Sequence, residues 1–137
     1  MADDDGPMNR TITPSILPKP RGYVHGVTTT GTVLYVSGQV AHNTTGQLVS
    51  PAFTAQFAQC IDNVLTVVRA AGGGSTDIVK LVAYVTDMGK YRESTGDLRE
   101  VWKASFGDYY PAMTLVSVNG LIEPGALVEI EGVAHLP

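Results

Sequence analysis

Between residues 53 and 71 the side chains of Phe53, Phe57, Cys60, Ile61, Val64, Leu65, Val68 and Ala71 recur at steps of three and four. That spacing lines them along one side of an α-helix and leaves a largely polar opposite side. A helix with one apolar stripe cannot bury it alone; it needs a second layer. The helix is expected to open at Ser50-Pro51, with Ser50 as cap and Pro51 in the first position, and to stop at Gly72-Gly73-Gly74.

The covering layer is written in a period of two. Residues 32–37 (Thr-Val-Leu-Tyr-Val-Ser) form a β-branched, apolar strand that ends at Gly38-Gln39. Residues 77–87 alternate Val79, Leu81, Ala83 and Val85 with a mixed row that includes Ile78, Lys80, Val82 and Tyr84. Residues 112–118 put Ala112, Thr114, Val116 and Val118 on one side and Met113, Leu115 and Ser117 on the other. In residues 126–134, Leu127, Glu129, Glu131 and Val133 share a face opposite Val128, Ile130, Gly132 and Ala134. A second helix is expected from Ser94 or Thr95, with Leu98, Val101, Trp102, Ser105 and Phe106 inward and Gly107 as its stop. Residues 12–20 carry Pro14, Pro18 and Pro20 and form at best an edge strand, whereas Tyr23 to Val27 form a short strand. The order predicts an α+β domain with both helices on one face of a single sheet.

A chain of 137 residues supports one domain. Residues 1–9 are expected to be a flexible acidic tail, and 10–137 the domain. A hydrophobic content of 44% against 16% charged points to buried subunit contacts. The net charge of -4, a pI near 5.2 and scattered Lys and Arg argue against a nucleic-acid partner. No apolar run approaches the roughly 20 residues that span a bilayer, so no membrane partner is expected. The acidic start is unlike a signal peptide, and the cytoplasm is the expected compartment.

The candidates for chemistry are few. His25, His42 and His135 are far apart and lack metal-ligand spacing, so no metal is expected. Cys60 lies on the apolar stripe, where a thiol behaves as a small hydrophobe. What remains is Glu129 and Glu131 on an otherwise apolar strand, the pair Tyr23 and His25, and the corner Ser37-Gly38-Gln39. A half-buried acid needs a partner, a water or a task; a solvent-facing row and an ordinary surface pair explain the same residues without function.

Taken together these stretches are similar to one family. Gly22-Tyr23-Val24-His25-Gly26-Val27, Val36-Ser37-Gly38-Gln39, Ala70-Ala71-Gly72, Asp77-Ile78-Val79-Lys80, Tyr84-Val85-Thr86-Asp87-Met88, Arg99-Glu100-Val101-Trp102, Tyr110-Pro111-Ala112 and Leu127-Val128-Glu129-Ile130-Glu131 follow the pattern of the YjgF/RidA (Rid) family, in order, from about residue 17 to the end. The resemblance implies one mixed six-stranded sheet with two helices on one face, similar to a small chorismate mutase. It also implies three subunits around a central barrel, with small-molecule clefts at their interfaces. Active relatives hydrolyse enamines and imines to keto acids and ammonia without metal or organic cofactor. In them an arginine directly after the Pro-Ala pair grips the substrate carboxylate, the first glutamate of Glu-Ile-Glu positions water, and the tyrosine of the N-terminal motif lines the cleft.

Here the arginine position is Met113, and Leu115 stands where the best-known deaminases have cysteine. Glu129, Tyr23, Ser37, Gly38 and Gln39 are kept. The expectation is a homotrimer whose cleft, lined by Met113 and Leu115, takes an imine or enamine other than the usual amino-acid-derived iminoacids, with Glu129 handling water. The alternative is a non-catalytic ligand-binding or interaction trimer. An endoribonuclease fits poorly with the acidic charge. Arg21 and Arg99 are the cations that could stand in for the missing one.

Overall fold

The structure, a computed structural model, describes residues 9–137. In chain order come β1 (Arg10–Ile12), β2 (Gly26–Thr28), β3 (Thr32–Gln39), α1 (Phe53–Ala70), a 3-10 turn (Ser75–Asp77), β4 (Ile78–Val85), α2 (Met88–Glu93), α3 (Thr95–Phe106), β5 (Ala112–Ser117) and β6 (Val128–Leu136). The tail expected at residues 1–9 lies outside the described residues except for Asn9. That side chain donates to the Thr76 carbonyl at 2.7 Å and accepts from the Thr29 hydroxyl at 2.7 Å.

The α+β class stands, but the strands divide into two sheets rather than one of six. Four strands run in the order β3-β6-β4-β5, with β4 and β5 parallel and the other neighbours antiparallel. β1 and β2 form a separate antiparallel ladder of three residues each. The intervening Pro14, Pro18 and Pro20 have no N–H to give a ladder. Tyr23 and His25 therefore sit in bends, and pairing starts only at Gly26.

The stripe on α1 is buried as its spacing predicts, from Phe53 to Val68, with Gln56 joining it. Ala71 falls outside the helix as its C-terminal cap. The helix opens at Phe53 with Ala52 as its cap, two residues later than expected. The Ser50 hydroxyl instead accepts from the Ala52 N–H at 3.0 Å, a local serine turn that competes with capping.

β6 is the strand on which the rest aligns, since β3 and β4 pair with its two edges. Its Val128, Ile130 and Ala134 are wholly buried in the same core as the α1 stripe. On β4 the register shifts between Ile78 and Lys80, which turns Ile78 inward to 1% exposure, out of the mixed row where alternation puts it. The strand stops at Val85 because Asp87 caps α2, accepting the Lys90 N–H at 3.1 Å. With that short helix the described residues hold three helices in place of the expected two. α3 begins at Thr95 and ends before Gly107, and its Leu98 and Phe106 join the α1 core. No helix among the described residues is long and apolar enough to cross a membrane.

Gln56, with 0% exposure, ties the layers by polar bonds. Its amide donates to the carbonyls of Ser50 at 2.9 Å and Gly125 at 3.1 Å and accepts from the Leu127 N–H at 2.8 Å. Replacing it by Leu keeps the volume and leaves three partly buried backbone groups without their partner. Gln56→Leu is expected to lower unfolding free energy by about 2–3 kcal/mol, read from urea denaturation at fixed protein concentration.

Candidate functional site

On the helix side of the sheet a cleft of about 440 Å³ opens between β5, α3 and the loop before β2. Met113 and Leu115 line it because β5 pairs them with Leu81 and Ala83, both core residues of β4. One wall is a single helical face, Thr95, Leu98, Arg99 and Trp102, at steps of three, one and three. The loop brings Arg21 and Tyr23 to the other side. Gly22 between them has φ of +73°, a left-handed conformation that a side chain would strain. His25 fixes this loop: its Nε2 donates to the Pro18 carbonyl at 2.7 Å, and its ring meets Tyr23 edge-on at 5.3 Å.

Trp102 is immobilised in the wall. It stacks on Phe106 at 4.3 Å and on Tyr110 at 5.8 Å, and its indole N–H donates to the Tyr109 carbonyl at 3.1 Å. Two like arginines with no carboxylate among the lining residues give the cleft a positive character.

Glu129 lies on the other face of the sheet. It pairs across from Tyr84, whereas Met113 and Leu115 share the face of Leu81 and Ala83. β3 carries a bulge here: Val36 pairs with Gly132 and Gln39 with Ile130, so three steps on β3 meet two on β6. The bulge lays the Gly38 backbone against the Glu129 carboxylate, where a Cβ would collide with Oε2 and come within 2.9 Å of Cδ. A side chain at position 38 would have to displace the Glu129 carboxylate, a matter of contact and not of torsion. Gln39 folds its amide back onto the Ser37 carbonyl at 3.1 Å.

The two glutamates differ. Glu131 is exposed and accepts the Tyr84 hydroxyl at 2.6 Å, which raises the phenol's pKa because the protonated form is the one that donates. Glu129 is half-buried, and no donor among the described residues reaches its carboxylate. It is the acid left free for a water or ligand.

Within one chain, then, the expected site residues form two groups. Tyr23, Met113 and Leu115 line the cleft together with Arg21 and Arg99. Ser37, Gly38, Gln39 and Glu129 cluster across the sheet. The sequence reading missed Tyr91, Thr95 and Tyr110 as cleft residues and placed Trp102 only in the core. The helical spacing of Thr95, Leu98, Arg99 and Trp102 was the available signal. The histidines hold separate places: His25 braces the loop, His42 meets Glu123, and His135 is buried at 1% exposure on β6. Among the described residues no group of three or more His, Cys, Asp or Glu gathers as a metal site would require.

Comparison with known proteins follows the same outline. Residues 16–136 match the family model described as Endoribonuclease L-PSP. A RutC family protein of Pyrococcus horikoshii is 30% identical over 129 residues, covering 93% of this chain and 98% of its own. The human protein named 2-iminobutanoate/2-iminopropanoate deaminase is 30% identical over 102 residues, covering 74% and 71%. The crystal structure of YyfB from Yersinia pestis, described as a protein of unknown function of the conserved Rid family, superposes with a TM-score of 0.82 at 30% identity, covering 94% and 99%.

Cys60 faces β6, its thiol 3.5 Å from the Val128 carbonyl. Burial, reinforced by the Glu129 charge, pushes its pKa up from 9.0 to about 12. The folded chain thus holds the proton more tightly than the unfolded one. This contribution to stability is intact below about pH 9 and declines as pH rises toward 12. Native protein is expected to resist thiol-disulfide reagents at pH 8 and to react fully in denaturant, and stability should fall above pH 9 by less in Cys60→Ala.

Proposed function

The chain belongs to the YjgF/RidA (Rid) family, and we propose on that premise that it hydrolyses an imine or enamine metabolite other than the usual amino-acid-derived iminoacids. The observation that carries the reading is the apolar floor: Met113 and Leu115 stand in a cleft with Tyr23. An arginine at position 113 would put a guanidinium beside the reacting carbon, where an iminoacid holds its carboxylate. Methionine offers that carboxylate nothing but desolvation.

The chemistry needs both halves of the site. In the proposed reaction Glu129 takes a proton from water as the oxygen adds to the C=N carbon and passes it to the nitrogen, giving the carbinolamine. It then takes the hydroxyl proton as the carbonyl forms and delivers it to the nitrogen, which leaves as ammonia. Glu129 is across the sheet from the cleft, so a second subunit must supply it. A homotrimer that seats one subunit's Glu129 face at the next subunit's cleft would do so. Supporting this, the Glu129 face exposes Tyr35 at 77%, Val33 at 46% and Val116 at 39%, an apolar surface unusual for a face left in water. β3 and β5 are the edge strands of the four-stranded sheet, free to meet another copy.

The endoribonuclease in the family's description is the weaker reading for this chain. Nine Lys and Arg against thirteen Asp and Glu give no electrostatic footing for a polyanion.

Glu129→Gln is expected to reduce imine hydrolysis by at least about 100-fold while sedimentation still gives a trimer; unchanged turnover would remove Glu129 from the reaction. Met113→Arg is expected to gain activity on 2-aminoacrylate-derived imines that the unmodified protein handles poorly. Strong activity of the unmodified protein on them would overturn the weight placed on the floor. Saturable binding with no hydrolysis of any imine would favour the non-catalytic trimer.

A further inference from the structure

We infer that Arg21 and Arg99 form an anion clamp at the rim of the cleft, and that its ligand is an aryl-bearing carboxylic acid whose carboxylate is spaced away from the Met113–Leu115 floor. The inference rests on the cleft being the ligand site, as proposed above, and adds what the ligand must look like. The two arginines come from unconnected elements, the loop before β2 and the middle of α3, yet line one cavity. The thirteen lining residues include no Asp or Glu, and the ion pair found among the described residues, His42 with Glu123, is elsewhere. In a chain of net charge -4, two positive charges lining one cleft with no counterion among the described residues stand out. Like charges facing one cavity repel, and an anion between them removes that repulsion while gaining charge-assisted hydrogen bonds.

The remaining lining sets the body of the ligand. Tyr23, Tyr91, Trp102 and Tyr110 surround the space, and Trp102 is held rigid by its stacking partners and its bonded N–H. A preformed aromatic wall accepts a flat apolar group with little loss of side-chain freedom. The volume, about 440 Å³, lies within the range of sites that hold drug-sized ligands. A three-carbon iminoacid carries its carboxylate on the reacting carbon, so floor and clamp could not both be satisfied. A longer aryl acid satisfies both at once.

Trp102 is the one tryptophan of the chain, so its fluorescence reports on the cleft directly. The assembled protein is titrated with 3-phenylpropionate, with its neutral amide 3-phenylpropionamide, and with propionate. Saturable quenching by phenylpropionate is expected, with Kd at least about tenfold tighter than for either control, the scale of one charge-assisted bond in a partly open site. Arg21→Gln and Arg99→Gln should each weaken the acid about tenfold and leave the amide unchanged, and Arg99→Lys should recover part of the loss. Equal binding of acid and amide, no binding of the acid, or indifference of the acid to both Gln substitutions overturns the clamp. Glu129→Gln separates the two ideas. Arginine-dependent acid binding without any turnover keeps the clamp and ends the hydrolysis reading. Glu129-dependent turnover of a neutral imine, with acids indifferent to the arginines, does the reverse.

Discussion

The alternation of β6 is the constraint from which the rest follows. Because β6 is bonded on both edges, to β3 and to β4, it cannot slip by one residue without breaking two ladders. Its even-numbered residues Val128, Ile130 and Ala134 are sealed in the α1 core, each worth about 1–3 kcal/mol of transfer energy. The odd-numbered residues have no choice of side. Glu129 is therefore held on the helix-free face by apolar burial that has nothing to do with its own chemistry, and hydrophobic packing aims the carboxylate.

That same alternation explains why the expected site residues fall on two faces of one chain. β4 transmits the parity of β6 to β5, placing Met113 and Leu115 beside Leu81 and Ala83, under the helices. A catalytic unit confined to one subunit would need a strand to break parity. β3 does bulge, but its bulge serves a different purpose: it lowers the Gly38 backbone onto Glu129 and narrows the space around that acid. If the two groups act together, as proposed, the sheet requires that they do so across a subunit boundary, with the exposed Tyr35, Val33 and Val116 as the surface a neighbour would cover.

Much of this could be read in the residue pattern, and what could not has physical reasons. The α1 stripe, the start of α3 and the core row of β6 follow from periodicity alone, because each is dictated by burial on one side. Ser50 misleads because a serine hydroxyl can close a turn on its own chain as readily as cap a helix. Ile78 misleads because one bulged residue reverses the parity of everything before it. The first two strands fail to join the main sheet because three prolines lie between them, yet nothing local says which partner a three-residue strand will choose. The site residues were named through resemblance, but which of them meet is a property of the sheet's two faces. Arg21 and Arg99 were open as stand-ins for the missing cation, but that both line one cleft is visible only in the folded chain.

The exchange of a cation for Met113 changes more than affinity. A guanidinium in the floor would fix the anion next to the reacting carbon and leave the rim arginines opposed by a third like charge a short distance away. At 6 Å two unit charges repel by about 0.7 kcal/mol in water and about 3 kcal/mol at an effective dielectric of 20. With methionine in the floor that third charge is absent, and the repulsion left is between Arg21 and Arg99 alone, the one a bound anion would remove. The apolar floor and the charged rim are thus two parts of one rearrangement. On the proposed reading anion recognition moves outward to Arg21 and Arg99, the space around Met113 and Leu115 is left to apolar groups, and Glu129 reaches the ligand from a second subunit.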